Sequence, residues 1–201
     1  MHRLTPLNRI RRSTKILAVA STLTLFASLF VWSLPSTQVL ASGAGTPACT
    51  TANLDVWLNT QGNGAAGSSY YSLNFTNLST HSCTLYGYPG VSAVTQAGIQ
   101  LGSPAARDGE HAASVITLTS ARTAKGFDQD TARSTATVVL QITVAENFPT
   151  AACSPITAAG LRVYPPLQKE STVVPFPFIA CGTSGPRYLH VESVEKYLTG
   201  Q

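Results

Sequence analysis

Val138-Val139-Leu140-Gln141-Ile142-Thr143-Val144 decides the fold class. Val138, Leu140, Ile142 and Val144 fall on one side of an extended chain, and Val139, Gln141 and Thr143 on the other. In a strand successive side chains point to opposite faces, so a period of two marks a strand buried on one face. The same period appears in Leu54-Asp55-Val56-Trp57-Leu58-Asn59, and again where Tyr71, Leu73 and Phe75 alternate with Ser72, Asn74 and Thr76. Shorter predicted strands are Cys83–Tyr86, Val91–Thr95, Val115–Thr119, Thr123–Phe127, Leu161–Tyr164, Thr172–Phe178 and Tyr188–Val191. Turn residues separate them: Gln61-Gly62-Asn63-Gly64, Pro89-Gly90, Ala97-Gly98, Asp108-Gly109 and Gly185-Pro186. Many short strands at such intervals predict an all-β domain, an immunoglobulin-like antiparallel β-sandwich. One helical turn is predicted at Pro155–Ala159, with Ser154 as cap and Gly160 as stop. The tail from Glu192 to Leu198 has helical spacing, with Glu192 and Lys196 four apart.

Upstream of this body the composition changes. Arg3, Arg9, Arg11, Arg12 and Lys15 precede an uncharged run from Ile16 to Leu34, and the first acidic residue is Asp55. A basic head, an apolar middle and a small-residue exit near Ala41 read as a secretory signal peptide over residues 1–41. The competing reading is an uncleaved anchor, since the run approaches the length of about 17–25 residues that spans a bilayer. Membrane association is expected only in that case. A lipid anchor is not expected, because the nearest cysteine, Cys49, lies past the exit. Residues 42–48 read as a Gly/Ala/Pro linker, 49–191 as the sandwich and 192–201 as a C-terminal tail. The expected location is secreted, or on the extracytoplasmic face of the cell envelope.

The whole chain has 13 Lys+Arg and 9 Asp+Glu. Five of the basic residues and none of the acids lie in the signal segment, which leaves eight against nine. Nothing basic remains to follow a phosphate backbone, so nucleic acid is not an expected partner. Cys49, Cys83, Cys153 and Cys181 all follow the export segment. In an oxidising compartment an even number reads as two disulfides. Three pairings are possible. Cys49–Cys83 with Cys153–Cys181 is favoured because each closes a local loop across neighbouring elements. Zinc sites bring ligands in close pairs, and no two of these cysteines are close, so no metal is expected there.

Cys83-Thr84-Leu85-Tyr86-Gly87-Tyr88-Pro89-Gly90-Val91, with Cys49, Tyr71-Ser72-Leu73-Asn74-Phe75-Thr76-Asn77, Cys153 and Cys181, resembles a bacterial family catalogued as domain of unknown function 4232. Ala158-Ala159-Gly160-Leu161-Arg162-Val163-Tyr164-Pro165-Pro166 looks like its second signature, and Val174-Pro175-Phe176-Pro177-Phe178 like its third. The resemblance extends from Cys49 to about Val191. It implies an exported bacterial protein and supplies no catalytic residues. On its own chemistry, Tyr88-Pro89-Gly90 suits a type II turn, with proline presetting φ and glycine accepting a positive one.

Chemistry-bearing motifs are sparse. Asp108-Gly109-Glu110-His111 is the one local cluster of acid and imidazole, able in principle to hold a divalent ion or place a base. It reads as a solvated loop. His81 lies in a Ser/Thr-rich turn, and His190 alternates with Leu189 and Val191 and should face solvent. HExxH, G-x-S-x-G and phosphate-loop patterns do not occur. Asn74-Phe75-Thr76 and Asn77-Leu78-Ser79 fit the glycosylation pattern and read as ordinary polar strand residues. Tyr86, Tyr88 and Tyr164 should pack at a corner, as sandwich tyrosines do. If exposed, Tyr88 and Tyr164 are the candidate binding surface for an envelope or extracellular protein or glycan. The expectation is therefore a non-catalytic binding or structural module, with no catalytic residue, cofactor or metal. The alternative is a secreted hydrolase built on Asp108, Glu110 and His111.

Overall fold

The computed structural model describes residues 45–109, 111–123 and 127–197. The expected signal segment, residues 42–44 of the linker, Glu110 and Leu198 lie outside them. The described residues belong to one compact unit, Ala41–Gln201. Its strands are β1 (Leu54–Ala65), β2 (Ser68–Asn77), β3 (Cys83–Tyr86), β4 (Gly90–Val94), β5 (Gln100–Leu101), β6 (Ala106–Arg107), β7 (Val115–Leu118), β8 (Thr135–Thr143), β9 (Pro155–Tyr164), β10 (Thr172–Cys181), β11 (Leu189–Val191) and β12 (Glu195–Lys196). Two short helices, α1 (Phe127–Ser134) and α2 (Thr150–Cys153), interrupt them. The class is all-β.

One sheet runs β1-β2-β8-β11-β6, with β12 also on β8; a second runs β10-β9-β4-β5, and β3 pairs with β7. All pairs are antiparallel except β11 with β6. Register explains why the alternating sequences lie here. Val56 pairs with Phe75, Leu58 with Leu73, Leu73 with Val138, Tyr71 with Leu140, and Leu140 with Val191. One apolar face therefore crosses four strands. In the second sheet Val91 pairs with Val163, Leu161 with Ala93 and with Val174, and Ala93 with Leu101. Both inward faces, together with Leu85, Ile116 and Leu118 of β3 and β7, join a single core cluster. Phe75, Leu73, Leu140 and Leu161 are fully buried within it. Each such side chain contributes about 1.5–3 kcal/mol of burial.

The two disulfides are Cys49–Cys83 and Cys153–Cys181, the favoured pairing. Cys49 lies beside Cys83 because the N-terminal segment bridges β3 in parallel at Ala48 and Thr84. Cys49 N–H donates to Thr84 O (2.9 Å), and Thr84 N–H to Pro47 O (2.8 Å).

Five local expectations are corrected. The helical turn is not Pro155–Ala159 but Thr150–Cys153, one proline earlier. Ser154 closes it in a left-handed conformation (φ 46°), and Pro155 opens β9 opposite Cys181. A strand's first residue is where a missing N–H does least harm. The tail is not helical: Val194 is buried, and Glu195 and Lys196 extend the edge of β8 opposite Thr137 and Ala136. Residues 61–64 do not separate two strands as turn residues. They lie within β1 at a register shift between Asn59 and Asn63, where a Cβ on Gly62 would come within 2.5 Å of the Tyr71 ring. The reversal is made by Ala66 (φ 48°) and Gly67 (φ 79°), a two-residue loop with both φ positive, which suits the twist of a hairpin. Thr123 closes a 3-10 turn and Phe127 begins α1, so no strand joins them among the described residues. At Tyr88-Pro89-Gly90 the positive φ belongs to Gly87 (93°), and Gly90 is the first residue of β4, so the type II turn does not form.

Pro175 and Pro177 lie on β10, at the edge of its sheet, with a register shift between Pro175 and Phe178. Proline cannot donate to a ladder and belongs on such edges, where it also blunts further strand addition. Phe176 turns instead to Tyr71, edge to face at 5.0 Å.

Candidate functional site

The end of β3, the connector to β4 and the end of β9 enclose a groove of about 390 Å³. Tyr86, Tyr88, Arg107, Tyr164 and Leu167 line it. Tyr164 is brought beside the connector because it pairs with Gly90, whose missing side chain leaves room; a Cβ there would touch the Tyr164 Cβ at 3.4 Å. Arg107 arrives through the parallel pairing of β6 with β11, opposite Val191. Its guanidinium lies 5.8 Å from the centre of the Tyr88 ring, within range of a cation–π attraction worth about 0.5–1 kcal/mol at an exposed site. Beyond Tyr164 the chain turns at Pro165-Pro166-Leu167-Gln168, with Gln168 N–H donating to Pro165 O (3.0 Å). Leu167 has a positive φ of 61° and is 78% exposed. A bulky apolar residue held in that region of backbone and left in water is doubly unfavourable, as occurs where strain serves a site.

The expectation that the tyrosines pack at a corner is overturned for two of three. Tyr86 and Tyr164 are exposed. Tyr88 is half-buried, and its hydroxyl donates to His111 O at 3.5 Å. The ring that is packed with its hydroxyl satisfied is Tyr188, fully buried and donating to Leu101 O (3.2 Å). Burial pushes its phenol from 10.0 up to about 12. Arg107 and Leu167 were not legible as site residues. Arg107 gains its place from a long-range parallel pairing and Leu167 from its backbone conformation. The only local signal was the double proline before Leu167.

Asp108 and His111 lie on the connection between β6 and β7. Asp108 is half-buried, with its backbone N–H on Val191 O (2.8 Å), and Glu110 lies outside the described residues. The imidazole of His111, exposed, meets two carboxylates from elsewhere in the chain. Ligand atoms of His111, Glu192 and Glu195 all lie within 4.8 Å of one another. His190 is half-buried between Leu189 and Val191, with Nε2 3.1 Å from Arg187 O, so it faces solvent only in part. His81 is exposed, and its carbonyl accepts from Asn77 and Ser79.

Both glycosylation-pattern asparagines are completely buried. Asn74 Oδ1 accepts from Thr137 Oγ1 (2.8 Å), and its amide donates to Ser72 O (3.1 Å). Asn77 Nδ2 donates to the carbonyls of His81, Leu118 and Thr119 at 2.9, 3.2 and 3.1 Å, while Oδ1 accepts from Ser79 N–H and Oγ. Their place in the sequence reflects packing. Among the described residues no helix is long and apolar enough to cross a membrane.

Residues 49–126 match the family described as Domain of unknown function (DUF4232). The match agrees with the resemblance read from the Cys83–Val91 block and stops short of the two downstream stretches, Ala158–Pro166 and Val174–Phe178. No curated protein and no solved structure matches the chain.

Proposed function

We propose that this chain, whose residues 49–126 match the DUF4232 family, is an exported, non-catalytic binding module of the cell envelope or extracellular space. Its ligand, a glycan or an extended peptide, would lie in the tyrosine groove. The observation that carries the reading is the convergence of Tyr86, Tyr88 and Tyr164 around Arg107 in one groove of about 390 Å³. Pockets of that size, lined by aromatic faces with a few placed polar groups, suit ligands that stack and are then oriented by hydrogen bonds. Arg107 offers donors in a fixed fork, which favours a carboxylate or a pair of hydroxyls on the ligand. The basic, acid-free head before Asp55 and the two disulfides support an extracytoplasmic location. A hydrolytic centre on Asp108, Glu110 and His111 is the alternative reading, and substrate turnover tests it.

The test is retention on isolated cell-wall material and on arrays of acidic glycans and extended peptides. Wild type is expected to be retained. Tyr164→Ala and Arg107→Ala should lose retention while staying folded by circular dichroism, with Arg107→Ala, at an exposed site, keeping the wild-type melting temperature. Equal retention of both variants would sink the groove as the binding site. Turnover of ester, peptide or glycoside substrates that vanishes in His111→Ala would replace the module with an enzyme.

A further inference from the structure

His111, Glu192 and Glu195 come from segments that the sequence separates and the fold pins side by side. Glu192 follows β11 directly, with its N–H on Val139 O (3.1 Å), and Glu195 opens β12 opposite Thr137. Between them Ser193 and Val194 are buried, which turns the flanking carboxylates outward together. Val194 N–H donates to Gly87 O (2.9 Å), and Tyr88, the next residue, holds the His111 carbonyl. The backbones of Glu192 and Glu195 are therefore held on β8, that of His111 is tied to Tyr88, and the exposed side chains of His111 and Glu195 keep rotamer freedom.

From this arrangement we propose that His111, Glu192 and Glu195 bind one divalent transition-metal ion of the zinc class. One imidazole nitrogen and two carboxylate oxygens form a three-ligand set of the kind that leaves a fourth tetrahedral position for water. Bonds of about 2.0–2.2 Å place tetrahedral ligand atoms roughly 3.5 Å apart. The 4.8 Å limit on their present separations therefore needs a closure of about 1 Å, within reach of side-chain rotation. Two carboxylates this close repel, and a dication between them turns that repulsion into attraction. The imidazole selects against calcium and magnesium, which take six or more oxygen ligands. Cysteine thiolates do not compete, because all four cysteines are in disulfides.

The experiment is calorimetric titration of zinc chloride into the full, untagged chain after chelator treatment and dialysis, in a non-coordinating buffer. One equivalent should bind, and the melting temperature should rise with zinc. His111→Ala and Glu195→Gln should each weaken binding at least tenfold and abolish the thermal shift, with metal-free melting unchanged. His81→Ala should bind as wild type, and calcium and magnesium should give no such isotherm. No stoichiometric binding, or equal binding by His111→Ala and Glu195→Gln, overturns the site. Should either variant melt early without metal, Glu192→Gln replaces it in the comparison, and undiminished binding there overturns the site equally.

Discussion

Replacing Asn77 with alanine should be among the most damaging single polar substitutions in this chain. The side chain is completely buried and makes five contacts: three carbonyls for its amide, and the N–H and hydroxyl of Ser79 on its oxygen. Two amide protons serve three carbonyls, so one bond is shared. The single Ser79 hydroxyl proton is likewise shared with His81 O, which leaves about three to four independent hydrogen bonds. At about 1 kcal/mol each, with a further cost wherever a buried partner is orphaned, the loss is roughly 4 kcal/mol. That is a large share of the 5–15 kcal/mol expected for a domain. Asn77→Asp separates the two halves of the side chain. It retains an acceptor for Ser79 but turns a carboxylate toward three carbonyl oxygens, so at neutral pH it should cost at least as much as alanine. Urea unfolding with the disulfides intact, followed by tryptophan fluorescence and circular dichroism, gives both values. A loss under 1 kcal/mol for Asn77→Ala would show that the junction of β2, β7 and the 79–81 turn is held some other way, and would refute the reasoning.

Tyr188 gives an alkaline signature. Its folded phenol titrates near 12 against 10 unfolded, so the folded state retains the proton longer and stability is full below pH 10. Stability should fall between pH 10 and 12 by up to about 3 kcal/mol, and Tyr188→Phe should flatten that slope in unfolding curves taken across the range. Cys153→Ser opens a bridge between residues 28 apart, and should cost about 3–4 kcal/mol on the chain-entropy model, read as a lowered urea midpoint.

The strands that carry the core were legible because burial on one face writes itself into sequence at a period of two. Val138, Leu140 and Ile142 are buried in alternation in β8, as their spacing says. The disulfide pairing was legible for a related reason: each bridge joins neighbouring elements. What failed was the assignment of particular glycines and prolines to turns, although Gly98, at φ 75°, does reverse the chain between β4 and β5. Gly62 exists for the ring of Tyr71 across a bulge, and Pro155 starts a strand opposite Cys181. Each role depends on a partner strand, which no local window contains. The tail misled for the same reason. Glu192 and Lys196 have helical spacing, but β8 has an open edge that the tail completes. At the site the residue types were legible and the company they keep was not. Tyr88 and Tyr164 stood out as aromatics beside prolines, whereas Arg107, Glu192 and Glu195 acquire meaning only through the pairing of β6 and β12 with β11 and β8.

Gly87 and Tyr88 connect these features physically. Gly87 lines the groove, accepts from Val194 between the two glutamates, and has the positive φ that redirects the chain out of β3. Tyr88 lines the same groove, lies beneath Arg107 and donates to the backbone of His111. Neither interaction is the type II turn that Tyr88-Pro89-Gly90 suggests. A side chain at Gly87 would meet open space, so only backbone conformation excludes it. A tyrosine at 88 is needed for both its ring and its hydroxyl, one toward the groove and one toward the loop. Pro89, buried, and Gly90, against Tyr164, then set the first turn of the chain into β4. Gly87, Tyr88 and Gly90 therefore line the groove, and Gly87 and Tyr88 also tie it to the backbones of Val194 and His111. A metal bound at His111 would stiffen the loop that Tyr88 touches, and so the rim of the groove itself.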